Sequence, residues 1–295
     1  TGSLNTAIGA DALGANTTGY WNTAVGRDAL KDQTTATLNT AIGDRAGENH
    51  TTGGSNVFVG STAGYNTTTG SANVFVGRTS GEGNTTGSNN VCVGNGAGNT
   101  YGVLTQVTFV GSGAGANSLG TGAVAFGRDA HRNVDGDYNT FIGWLCGEGA
   151  NSATATNNVG VGKQSFYVVS SGSENVGVGR NTFKALTTGS DNVAIGDSAL
   201  DACTTGGNNV AVGKDAGGSL TTNNRNAFVG SQAGASVTAN DNAGFGYNAL
   251  NANTTGTQNT AAGSGALRLT TTGNYNTGVG YQALAQNTTS EGNTA

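Results

Sequence analysis

Residues 1–30, "TGSLNTAIGADALGANTTGYWNTAVGRDAL", carry one phrase twice: Asn5-Thr6-Ala7-Ile8-Gly9 returns as Asn22-Thr23-Ala24-Val25-Gly26. Taking the Gly that closes each N-x-x-x-G as an anchor gives seventeen anchors, from Gly9, Gly26 and Gly43 to Gly280. The step between them is 17 residues in twelve of sixteen cases, 16 in three, and 19 once, from Gly143 to Gly162. A fixed period of this size is the signature of stacked structural repeats. Each unit holds one short β-branched run followed by a Gly-marked return. That predicts an all-β chain, a parallel β-solenoid of 17-residue coils, about seventeen in number, running as a single array through residues 1–295.

Composition agrees. The chain has 53 Gly, no Pro, no Met and 10% charged residues, so little interferes with strand ladders and little charge favours disorder. The net charge of −5 and the scattered Lys and Arg leave no footprint for nucleic acid. No run of 18 apolar residues exists, so no membrane insertion is expected in this segment. Because the sequence begins and ends inside a repeat, we expect a piece of a longer protein.

Within the strand motif, the residue before the anchor (Ile8, Val25, Ile42) is apolar in every coil, and the residue two earlier is Thr or Val in most. By the two-residue period of a strand these ranks share a face, and we expect that face to turn inward. The rank between them would then point out. It is never charged, and exposed it would form a long apolar stripe. The expectation is a homotrimer that hides this stripe, with Ala7, Ala24, Ala41, Phe58, Phe75, Cys92, Phe109, Phe141, Ala194 and Phe228 at the interface. The opening Asn, present in fifteen of seventeen anchored copies, predicts a side-chain ladder at a corner.

The stretches "NTAIGADAL", "NVAIGDSAL" and "NTAVGRDAL" resemble the head repeats of trimeric autotransporter adhesins of the YadA type. The fuller units "NTAVGRDALKDQTTATL" and "NAGFGYNALNANTTGTQ" are still more similar to repeat arrays of bacteriophage tail-fibre proteins. The resemblance implies a left-handed, trimeric β-roll in an extracellular attachment fibre, on a virion tail or a bacterial surface. A cell-surface glycan or other host receptor would be its partner. The 17-residue period departs from the shorter adhesin-head repeat.

Catalytic signatures are nearly absent, and neither an enzyme nor a cofactor is expected. "GVGKQS" (Gly160–Ser165) lacks the full phosphate-loop spacing. His50 and His131 stand in different ranks, five coils apart, and are expected in solvent. The three cysteines are expected as free thiols in tight places. From Arg128 to Tyr167 the repeat loosens and gathers charge and aromatics. Arg132, Asp135, Asp137, Tyr138 and Trp144 are the candidate receptor or glycan contacts there, since aromatic rings stack on sugars and charged groups bond hydroxyls. A second function of another class follows from adjacent threonines, such as Thr17-Thr18 and Thr34-Thr35. Ordered Thr ladders on a solenoid suit ice binding. Strand alternation predicts one outward Thr per coil, and the ladder lapses between Gly94 and Lys184.

Overall fold

The computed structural model describes residues 2–295. Among them run seventeen three-residue strands, one per coil and all parallel to their neighbours. The chain divides into two compact units: Thr1–Leu145 with Asn151–Ala153, and Cys146–Ala150 with Thr154–Ala295. The first is a β-solenoid holding nine strands, from β1 (Thr6–Ile8) to β9 (Thr140–Ile142). The second is a β-solenoid holding eight, from β10 (Val159–Val161) to β17 (Thr277–Val279).

Register follows rank. Ala24 pairs with Ala41, Ala41 with Phe58 and Phe58 with Phe75. Where a step is 16 residues the match still holds, Phe109 against Ala125, so the missing residue is absorbed in the turns. The anchor glycines stack directly. Gly26 has φ +137°, and a Cβ there would lie 2.2 Å from the carbonyl oxygen of Gly43. Only Gly fits both the dihedral and the approach.

The return after each anchor alternates its hydrogen bonds. The N–H of Ala29 bonds back to Gly26 within the coil, while Leu30 donates to Ala46 of the next coil at 3.0 Å. Asp28 reaches the other way, to Ala10 at 2.9 Å. This pattern satisfies the turn's backbone groups without a second strand. It also places non-glycine residues such as Asp28 and Leu30 at φ +56° and +48°. Each such residue costs about 1–2 kcal/mol against the right-handed alternative, which the stacked bonds offset.

The strand phase is the reverse of the expectation. The middle rank faces into the coil. Ala24, Ala41, Phe58, Phe75, Cys92, Phe109, Phe141, Ala194 and Phe228 have no solvent exposure within the single chain. Ala7, in the first coil, is exposed. The nine buried residues are core, so they do not form an interface between chains. The flanking ranks point outward and are partly exposed: Thr23 and Val25, Val57 and Val59, Val74 and Val76. The Asn rank explains the phase, because it has the parity of the middle rank and is buried with it. The backbone N–H groups of Asn39, Asn56 and Asn73 each donate to the Oδ1 of the Asn one coil earlier, at 2.8–3.0 Å. Their Nδ2 groups cap the carbonyls of Gly53, Gly70 and Gly87 at 2.9 Å. The ladder repeats in the second unit from Asn158 through Asn175 and Asn192 to Asn209.

Opposite the middle rank, the position four after the anchor also turns inward, and the two trade volume. Ala24 faces Leu30, Phe58 and Phe75 face Gly64 and Gly81, and Gly177 meets the rings of Phe166 and Phe183. A Cβ on Gly81 or Gly115 would sit 2.5 or 2.2 Å from the Phe75 or Phe109 ring. The ranks thus compensate each other in volume, and a larger residue at one wall of the coil is met by a smaller one at the other.

Candidate functional site

Two surfaces repeat along the coils. The first is the outer face of the strands, a double rank of Thr or Val beside Val or Ile. It is half-exposed at most positions, with Ile42, Ile142, Val178, Ile195 and Val229 among the exposed large apolar side chains. Phe126 and Phe245 stand out from the rank before the anchor.

The second surface is the threonine corner. Thr17, Thr34, Thr51 and Thr68 each donate Oγ1 to the carbonyl of the Thr or Gly-corner residue one coil on: Thr17 to Thr34 at 3.0 Å, Thr51 to Thr68 at 3.0 Å and Thr68 to Thr85 at 3.2 Å. The same carbonyl takes the backbone N–H of the same Thr, Thr51 to Thr68 at 2.8 Å. Two donors converging on one acceptor fix the side-chain rotamer. Beside this pinned rank, Thr18, Thr35, Thr52, Thr69 and Thr86 are exposed. The second unit repeats the arrangement, with Thr187 on Thr204 and Thr204 on Thr221 at 3.1 Å, and Thr254 on Thr271 at 3.0 Å. Thr188, Thr205, Thr222, Thr255 and Thr272 are exposed next to it. Both threonines of most pairs reach the surface, because the corner is a turn and strict strand alternation does not apply to it.

The residues singled out in the loosened stretch take separate roles. Asp135 and Asp137 each accept a backbone N–H of the preceding coil, from Leu119 at 3.0 Å and Thr121 at 2.7 Å. Arg132 lies 3.7 Å from Asp129. Tyr138 is exposed with its ring over Gly122, and Trp144 is exposed on the other side of strand β9. The coil splits these two aromatics.

His50 and His131 are buried, contrary to the expectation of solvated side chains. His50 packs against the Phe58 ring, with centroids 5.7 Å apart, and its Nε2 meets the carbonyl of Gly53 at 2.6 Å. His131 lies between Phe109 and Phe141, with ring centroids 5.6 and 5.4 Å away, and its Nδ1 meets Ser118 Oγ at 3.1 Å. Burial pushes its pKa down to about 4. Cys92 and Cys203 are free thiols, and all three cysteines, Cys146 included, are buried. Among the described residues no cluster of three or more His, Cys, Asp or Glu could hold a metal ion, and no helix is long and apolar enough to cross a membrane.

The class that coils, ladders and surfaces define is a parallel β-solenoid built from tandem repeats. No family model matches the chain, and neither a curated protein nor a solved structure does.

Proposed function

We propose that the threonine corners bind ice. The observation that carries this reading is the pinned rank: Thr17, Thr34, Thr51 and Thr68 are locked by their own hydroxyl bonds, so methyls and hydroxyls recur at the strand repeat of about 4.8 Å. Exposed threonines flank them coil by coil. A rigid array of alternating methyl and hydroxyl groups holds water in a lattice without first paying to order its own side chains. Thermal hysteresis and inhibition of ice recrystallisation by the purified chain test it. Thr35→Lys with Thr52→Lys, combined with Thr205→Lys and Thr222→Lys in the second unit, should abolish both effects while leaving the circular dichroism spectrum unchanged. A parent chain without hysteresis at millimolar concentration removes the reading.

A second reading is favoured by the outer strand face. Val57, Val59, Val74, Val76, Val91 and Val93 form a continuous β-branched surface that one chain leaves half-exposed. In this reading three copies pack these faces together in an extracellular attachment fibre, as the resemblance to adhesin heads and tail fibres implies. Light scattering distinguishes the two: a mass of one chain, 28.9 kDa, removes the trimer.

A further inference from the structure

Of the eight arginines in the chain, six lie within ion-pair distance of a carboxylate: Arg27, Arg45, Arg128, Arg132, Arg180 and Arg225. Arg78 and Arg268 have no such partner among the described residues. At the rank of Arg78, the arginines Arg27 and Arg180 each meet an Asp one coil on, Asp44 at 2.9 Å and Asp197 at 2.7 Å. One coil on from Arg78, that rank holds Asn95, which carries no charge.

Both unpaired arginines line grooves of one construction. The position two after the anchor carries a side chain in fourteen of the seventeen coils. The exceptions are Gly96, Gly113 and Gly265. Glycine is not required by the backbone here, because Asp28, Gln232 and Gln282 hold the same left-handed φ. The missing side chains open notches, and all three notches fall in these grooves.

In the second unit, Gly265 floors a cavity of about 240 Å³ lined by Tyr247, Tyr281, Ser264 and Arg268. Tyr247 and Tyr281 hold the same rank two coils apart, hence about 10 Å from each other along the stack. That span exceeds the about 7–8 Å at which one sugar ring would touch an aromatic on each face, so a pyranose here stacks on one tyrosine at a time. Asn248 and Gln282 add amides at the rim. In the first unit, Gly96 and Gly113 open a cavity of about 440 Å³ between Arg78 and the highly exposed Tyr101, with Asn95, Asn99 and Asn117 along it. No carboxylate lines either cavity, although Asp129 reaches the Gly113 end of the first and is held there by Arg128 and Arg132.

We propose that these two grooves are subsites for an acidic sugar, such as a uronic acid residue of a glycan chain. The tyrosine faces stack on the C–H faces of the pyranose. The guanidinium takes the carboxylate in a charge-assisted pair, and the amides take hydroxyls. The proposal goes beyond ice binding and stands independently of it, since neither groove includes the threonine corner.

Isothermal titration with trigalacturonate tests it on the intact chain, with maltotriose as the neutral control. Two sites per chain are expected. Arg268→Gln and Arg78→Gln should each weaken one site at least tenfold and leave the other. Gly265→Gln, which restores the side chain that Gln232 and Gln282 already supply at this rank, should remove the second-unit site without unfolding the coil. Absence of binding at millimolar trigalacturonate, equal binding of maltotriose, or unchanged binding by both arginine variants overturns the proposal.

Discussion

A Cβ placed on Gly64 would lie 2.5 Å from the ring carbons of Phe58, so the glycine at one wall of the coil and the phenylalanine at the other are a single packing unit. Elsewhere the same two positions hold Ala24 and Leu30, or Gly177 with Phe183. Gly64→Ala is therefore expected to destabilise the chain by about 2–4 kcal/mol, from overpacking and from a non-glycine residue at positive φ. Phe58→Ala alone should cost about 3–5 kcal/mol by leaving a cavity. Phe58→Ala with Gly64→Leu copies the second coil and should recover most of that loss. Urea unfolding of the three variants checks it. Strictly additive costs would refute the exchange of volume.

Asn56 is held on both sides. Its Oδ1 accepts from the N–H of Asn73, and its Nδ2 donates to Gly70 and to Asn39 Oδ1. Asn56→Ala strands several buried polar groups at about 1–3 kcal/mol each, so a loss of about 3 kcal/mol or more is expected. Asn56→Asp should do no better, because a carboxylate cannot donate to the Gly70 carbonyl and carries buried charge. Hydrogen exchange at the amide of Asn73 should accelerate in the alanine variant, which removes its acceptor.

Acid should weaken the first unit through His131. Its folded pKa of about 4 lies below the ordinary imidazole value because burial disfavours the charged ring. His50 is shifted the same way by the same cause. A depressed folded pKa means the unfolded chain binds the proton first as pH falls. The stability is whole above about pH 6.5 and declines toward pH 4, by about 3 kcal/mol for His131 alone. His131→Leu, which matches the Ala24 and Leu30 pairing in a coil that carries Ala125, should flatten the stability profile over that window. An unchanged slope in this variant would contradict the assignment.

The three thiols should be silent in the folded chain. Burial pushes the Cys203 thiol up to about 11 and raises that of Cys92, so little thiolate forms at pH 8. Reaction with a disulfide reagent is expected only after unfolding, when all three cysteines per chain should titrate. Rapid labelling of the native protein would show that the coils open.

How far the sequence could be read is clear from particular ranks. The period, the in-register stacking and the Asn ladder were legible, because each follows from identity at fixed spacing. The inward rank was not. In strands such as Val57-Phe58-Val59 both faces are apolar, so alternation supplies a period without a phase, and a one-residue error turns every side chain over. Two signals could have set it: the Asn that shares parity with Phe58, and the reciprocal sizes of Phe58 and Gly64. Nor could sequence neighbours locate the grooves. Tyr275 and Tyr281 lie on opposite sides of strand β17, whereas Tyr247 comes to the same rank as Tyr281.

The amino-acid sequence by itself determined that this chain coils, with what pitch in residues, and which positions stack on which, since a repeat must match its neighbour rank for rank. Tertiary structure alone decided which strand face is core, that both threonines of most pairs reach the surface, and that unpaired arginines share grooves with tyrosines of neighbouring coils. Those outcomes depend on how tightly one turn closes around its interior, a property of volumes packed in three dimensions that no single rank records.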